Sequence, residues 1–314
     1  MTEAAKPILK DTKIETLLQS HRELITIDSS MSVPAALKIL VNNNIYGAPV
    51  VDSTTGHFYG FVDLIDVVTT IVSIFDFQGK SNNDDFYSLL EQVEQFDQTA
   101  VEQITDLSKR NPFCPILRTA TLHEALQMIR QTGAHRMPVL DGQRLTNILT
   151  EFDIVNHVTH NLHHLGEFCN KTLADLDLGR KEVVTVYTDT PALEAFRLML
   201  EKKISGLAVI NREEGTLFSN LSARDIKLIA GEALFTKLFK TVKEFIQDVR
   251  STSNEAYFPI VYVSPDAKIR DVMVKLVSTR MHRLYVVDES VRPVGVVSLG
   301  DLTTAVSEYE NTLQ

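Results

Sequence analysis

Cysteine is nearly absent from this chain: 314 residues carry only Cys114 and Cys169. The two fall in no metal-ligand spacing and cannot staple a small scaffold. That excludes a disulfide framework and a cysteine-type zinc site, and fits a reducing compartment. Both read as small buried hydrophobes. Positive charge is also in deficit. The 31 Lys and Arg against 41 Asp and Glu leave a net charge of −10, which argues against a broad surface for nucleic acid or an acidic membrane. Any anionic ligand must then be held by a local cluster of cations. No run of 18 or more apolar residues occurs, and the opening MTEAAKPILKDTKIETLL has no apolar core of signal-peptide length. The expected location is the cytoplasm, with nuclear access open. A Gly-rich phosphate loop, a nucleophile elbow and paired catalytic carboxylates beside a base are missing too. The expectation is a non-enzyme with no metal.

What is present is the composition of a globular protein, 44% hydrophobic and 23% charged, over a length that requires two domains or several smaller units. The chain repeats itself. IYGAPVVDSTTGHFYGFVDLIDVV (45–68), AHRMPVLDGQRLTNILTEFDIV (134–155), ISGLAVINREEGTLFSNLSARDIKL (204–228) and MHRLYVVDESVRPVGVVSLGDL (281–302) each place an apolar strand, a polar turn and a second strand before an Asp. The acids are Asp66, Asp153, Asp225 and Asp301, at 18, 16, 18 and 17 residues from the first strand residue. A segment with helical periodicity precedes each hairpin, at 32–44, 121–133, 190–203 and 264–280. Thr121 with Glu124 reads as a capping box, and Thr190-Pro191 and Ser264-Pro265 read as caps before a first-turn proline. A β-branched run lies upstream each time (LITI, PILRT, VVTVY, IVYV), and a helix is expected after each acid. The predicted fold is therefore α/β (α+β), four β-α-β-β-α modules over 1–80, 81–165, 166–234 and 235–314.

These residues resemble tandem CBS modules, and HRLYVVDESVRPVGVVSLGDL resembles the fourth module of the regulatory gamma subunits of AMP-activated (SNF1-type) protein kinases. The resemblance runs from about residue 10 to about residue 308. It implies modules paired into two Bateman units that form a disc, and clefts that bind AMP, ADP or ATP without any cofactor. It also implies a heterotrimer with catalytic alpha and scaffolding beta subunits.

Each Asp can cap its own helix or accept both hydroxyls of a ribose. The resemblance implies the ribose role, for Asp301 and Asp225 first and then for Asp66 and Asp153. Before the first strand stand Tyr46-Gly47, His135-Arg136, Ser205-Gly206 and His282-Arg283. The two His-Arg pairs are either helix-end cations or phosphate ligands, since Arg presents a fork of donors and His adds to it. The resemblance implies the phosphate role for His135, Arg136, His282 and Arg283. Thr150, Ser222 and Ser298, three residues before their acids, are hydroxyls for the ligand or caps for the helix. Arg250 resembles a further phosphate-binding Arg. Tyr46 and Phe152 stand where the family carries cations, and Asp153 where it commonly lacks an acid.

His157, His160 and His164 share one helix face, read as a polar surface rather than a metal site. The polar stretch 78–103 reads as the linker and leading helix of module 2, packed onto module 1. The expected function is a non-catalytic adenylate sensor of a kinase. The alternative is a free-standing CBS protein that regulates another enzyme, a phosphatase or a transporter.

Overall fold

The computed structural model describes residues 6–18, 24–77, 86–229, 234–252 and 260–313. Helix α1 (Ile8–Asp11) leads into module 1, which runs β1 (Ile27–Asp28), α2 (Val33–Asn42), β2 (Gly47–Val51), β3 (Phe58–Asp63) and α3 (Leu64–Phe77). Two leading helices, α4 (Phe86–Gln98) and α5 (Val101–Ile104), precede module 2: β4 (Ile116–Leu117), α6 (Leu122–Thr132), β5 (Arg136–Asp141), β6 (Arg144–Thr150) and α7 (Glu151–His160). Module 3 has β7 (Thr185–Tyr187), α8 (Ala192–Glu201), β8 (Gly206–Ile210) and β9 (Leu217–Ser222), and closes on a 3-10 helix, Ala223–Ile229, rather than an α-helix. After α9 (Leu234–Leu238) and α10 (Val242–Thr252), module 4 runs β10 (Tyr262–Val263), α11 (Ile269–Thr279), β11 (Arg283–Val287), β12 (Pro293–Ser298) and α12 (Leu299–Asn311).

Each sheet has one plan. A short first strand pairs in parallel with the middle strand, as the crossover helix between them requires, and the middle strand pairs antiparallel with the third. The parallel register sets Ile27 against Val50, Ile116 against Val139, Val186 against Val209 and Val263 against Val286. All eight side chains are buried, and each such Val contributes roughly 1.5–3 kcal/mol on leaving water. The hairpin register shifts at the same step in every module, after Val50, Val139, Val209 and Val286.

By contact the chain forms two units. One contains residues 1–24, 110–183 and 261–314, hence modules 2 and 4. The other contains 25–109 and 184–260, hence modules 1 and 3. In the first, α7 packs on α11 and α12, and Phe168 stacks on Tyr309 with ring centroids 4.5 Å apart. In the second, α3 is buried through Val67, Val68, Ile71 and Phe75 against α8 and the 223–229 segment. Of the 78–103 stretch, 78–85 lie outside the described residues; the remainder packs on module 1 as expected, through α4 and the buried Phe96 and Val101.

Helix starts show how each unit is laced. The Thr121–Glu124 capping box forms. Two expected caps do not. The helix of module 3 begins at Ala192 with Pro191 as its N-cap, and that of module 4 at Ile269 with Lys268, neither with a side-chain cap. Backbone from elsewhere takes their place. The first helical N–H of α2, α6, α8 and α11 donates to a carbonyl of a leading segment: Val33 to Thr99, Leu122 to Thr12, Ala192 to Lys240 and Ile269 to Lys171. The reverse bonds run from Val101 to Met31, Ile14 to Ala120, Val242 to Thr190 and Leu173 to Ala267. All eight lie between 2.7 and 3.0 Å. They satisfy donors that a helix start otherwise leaves open. The segment that precedes each module thus docks on a different module of the chain: residues 12–14, ahead of module 1, on module 2, and residues 99–101, ahead of module 2, on module 1.

Candidate functional site

The antiparallel register joins the sequence signals. The residue that opens the middle strand lies directly opposite the residue that caps the following helix: Arg136 opposite Thr150, Arg283 opposite Ser298, Gly47 opposite Asp63 and Gly206 opposite Ser222. Directly opposed side chains have Cβ atoms about 5 Å apart, so in modules 2 and 4 a cation stands beside the cap that holds the acid. Arg136 is half-buried and its Nη1 donates to Asn111 Oδ1 at 3.1 Å. Burial pulls the Arg283 guanidinium below its usual range, while Tyr285 acts the other way; a guanidinium remains charged through such a shift. His135 is exposed and accepts at Nε2 from Arg110 Nη2 (3.1 Å) when its ring is neutral. His282 is exposed and stacks on Phe152 with centroids 6.0 Å apart.

All four acids form the cap. Asp153 Oδ2 accepts from the Thr150 N–H (2.9 Å) and hydroxyl (2.6 Å), and Asp301 Oδ2 accepts from the same groups of Ser298 at 2.8 and 2.7 Å. Asp225 Oδ2 accepts from the Ser222 N–H and hydroxyl at 2.6 and 3.0 Å. Module 1 differs, because its cap residue is itself an acid. Asp66 Oδ2 accepts from the Asp63 N–H and its Oδ1 from the Ser108 N–H, each at 2.8 Å. Asp63 Oδ1 accepts in return from Ile65 and Asp66. Asp66 is wholly buried. Its burial, with the neighbouring Asp63 carboxylate, pushes it up to about 7.

In the unit of modules 2 and 4 a cavity of about 280 Å³ brings three of the expected residues together: His135, Ser298 and Asp301. Arg136, Thr150, Asp153, His282 and Arg283 do not line it. Three charged residues not anticipated from the sequence do: Arg130, Glu151 and Lys181. Lys181 Nζ lies 2.6 Å from Asp301 Oδ1, the oxygen that the cap leaves over. Glu151 has its carboxyl raised by burial and by Asp301, and drawn back by Lys181. Glu151 follows the cap residue at a place where the other modules have Leu64, Ala223 and Leu299, so its signal was a break in the repeat. Lys181 sits in the linker-like stretch that leads into module 3, ahead of β7, where no repeated position marks it. The arrangement pairs acceptors for sugar hydroxyls with ammonium, guanidinium and imidazole groups for an anion.

In the other unit the Tyr46 ring lies under Arg224 (5.6 Å) and the buried Lys227 (4.8 Å), so cations from the helix of module 3 stand over the residue that replaces a cation in module 1. The side chain of Arg250 lies outside the described residues. The expected single histidine face does not form on one helix, since α7 ends at His160 and His164 lies in the 3-10 segment Leu162–Asn170 that follows; His157 Nε2 is 3.5 Å from Thr12 Oγ1 and the His160 ring bonds the Asn156 carbonyl. Among the described residues no group of three or more His, Cys, Asp or Glu is placed to hold a metal ion, and no helix is long and apolar enough to cross a membrane.

Comparison with known proteins bears on the repeated fold. The protein SDS23 of Candida albicans is 28% identical over 305 residues, which cover 88% of this chain and 48% of that protein. The 5'-AMP-activated protein kinase subunit gamma-3 of Homo sapiens is 25% identical over 297 residues, covering 92% of this chain and 58% of the subunit. The chain thus spans about half the length of these relatives. Protein MJ1225 of Methanocaldococcus jannaschii, described as a candidate archaeal homologue of g-AMPK, superposes with a TM-score of 0.69 at 17% identity over 93% of this chain and 99% of its own. The CBS domain model matches residues 14–73, 104–160, 174–230 and 248–308, most of the chain, and the protein therefore belongs to the CBS domain family.

Proposed function

We propose that this chain is a non-catalytic regulatory protein that binds adenine nucleotides, with a seat in the unit of modules 2 and 4. The observation that carries the reading is the convergence of His135, Ser298, Asp301 and Lys181 on one cavity. Asp301 holds the sugar, and cations beside it hold the phosphate. AMP, ADP and ATP compete, and because they differ in charge and length they favour different states of the protein. A ligand shifts an equilibrium only through such differential affinity. The likeness to the gamma-3 subunit supports the finer reading, a regulatory subunit bound to kinase catalytic alpha and scaffolding beta subunits. The alternative, in which the same cavity serves a different partner, is an adenylate-binding regulator of some other enzyme, a phosphatase or a transporter. Co-purification decides between them, since kinase subunits accompany the chain only in the first case.

Calorimetry tests the shared core of both readings. AMP and ATP are expected to bind with measurable heat. Replacing His135, which lines the cavity, by Ala is expected to weaken AMP by roughly 1.5–3 kcal/mol, the worth of one hydrogen bond to a charged group. A dissociation constant unchanged by that substitution removes the phosphate role of His135, an effect of His282→Ala with Arg283→Ala in its place moves the phosphate to the module 4 pair, and no heat with either nucleotide removes the function.

A further inference from the structure

Two glycines bring Lys181 to its place. Gly179 has φ of +76°, and a Cβ there would meet Val286 Cγ2 at 2.7 Å. A Cβ on Gly295 would run into the carbonyl of Gly179. The linker backbone therefore lies directly on the hairpin of module 4, with no side chain between, which only glycine permits at both contact points. Two residues on, Lys181 reaches Asp301 Oδ1. Its side chain is 67% exposed, whereas that of Asp301 is 13% exposed. Lys181 also lines a second cavity of about 600 Å³, which shares Lys181, Asp301 and Thr304 with the first and is walled by Phe168, Leu178 and Tyr309.

We propose that Lys181 is a specificity-determining residue, a linker-borne cation that joins the sugar-holding acid to the phosphate chain and so favours the more highly charged nucleotides. An ammonium has three N–H donors. One is engaged by Asp301. The others lie at the junction of two cavities, within reach of an anion in either. Asp301 and Glu151 would otherwise present two carboxylates to an incoming polyphosphate, and Lys181 pairs with the first and partly counters the second. Its benefit grows with ligand charge, so it acts more on ATP than on AMP. The cation comes from the lead-in of module 3, inside its CBS match but ahead of its first strand at Thr185, so the selectivity belongs to this chain's sequence there and not to the recurring strand-turn-strand motif.

This inference rests on the nucleotide reading, and the test separates the two. AMP, ATP and inorganic pyrophosphate are titrated calorimetrically into the full chain, into Lys181→Met and into Lys181→Arg. The exposed side chain makes either variant compatible with folding, which a thermal melt verifies. Lys181→Met is expected to weaken ATP and pyrophosphate about ten-fold more than AMP, and Lys181→Arg to restore most of the loss. An ATP to AMP affinity ratio unchanged in Lys181→Met overturns the assignment and leaves the nucleotide reading standing. Pyrophosphate binding that depends on Lys181, with no binding of either nucleotide, overturns the nucleotide reading and supports the cation. A chain that binds none of the three overturns both.

Discussion

At the head of α3, Asp63 stands where the other modules carry Thr150, Ser222 and Ser298. The exchange of a hydroxyl for a carboxylate places two acids in a buried capping box. The Asp66 carboxyl takes up its proton at about pH 7 when folded, against an ordinary value of 3.8. The folded state thus binds the extra proton between those limits. Stability from this site is greatest below about pH 4, falls as pH rises toward 7 and is flat above it. Asp63→Thr copies the box of module 2 and removes the like charge. It is expected to raise stability at pH 8 by about 1–2 kcal/mol, since a tenfold change in proton affinity is worth about 1.4 kcal/mol, with a smaller gain at pH 5. Urea unfolding at the two pH values measures this, and a larger gain at pH 5 contradicts it. At this scale the repeat made the four acids legible, because a position held four times stands out against variable turns. Asp63 and Glu151 were legible only as departures from it. Lys181 was not legible, because its partner lies 120 residues away and only the close approach of Gly179 to Gly295 brings the two together.

The leading segments set where the helices begin. Sequence periodicity located α2, α6, α8 and α11 to within a few residues, because their apolar faces repeat at helical spacing. It misplaced two starts, reading Thr190-Pro191 and Ser264-Pro265 as caps. The donors there are met by Lys240 and Lys171 carbonyls from remote segments, and local sequence carries no mark of a remote partner. Proline at the first position of a helix is ordinarily tolerated, since its missing N–H has no helical acceptor. At Val242 that N–H donates to the Thr190 carbonyl at 2.7 Å. Val242→Pro is therefore expected to cost about 1–3 kcal/mol beyond Val242→Ala, which controls for lost packing. Equal melting midpoints for the two variants contradict the exchanged bridge.

Over the whole molecule, charge and fold divide the work. A net charge of −10 repels polyanions at long range, so the proposed nucleotide binding would depend on the cations gathered in the unit of modules 2 and 4. Hydrogen exchange with saturating AMP is expected to slow amides near 130–136, 150–153, 179–181 and 298–304 more than any in the other unit, residues 25–109 and 184–260. Protection concentrated instead around Tyr46 and 222–227 moves the seat to the other unit. The module plan was legible throughout, because strand alternation and turns recur with it. The grouping of alternate modules into units was not, because it follows from contacts between distant stretches. The crossed docking of leading segments has a further consequence for how such a chain can change. Deleting or duplicating one copy strands two backbone edges at once, its own and that of its host. A fragment ending at residue 109 would carry Thr12 and Ile14 with nothing to pair to. Copies of this fold can be shuffled only in complementary sets, as in a knit fabric where no single loop can be cut free.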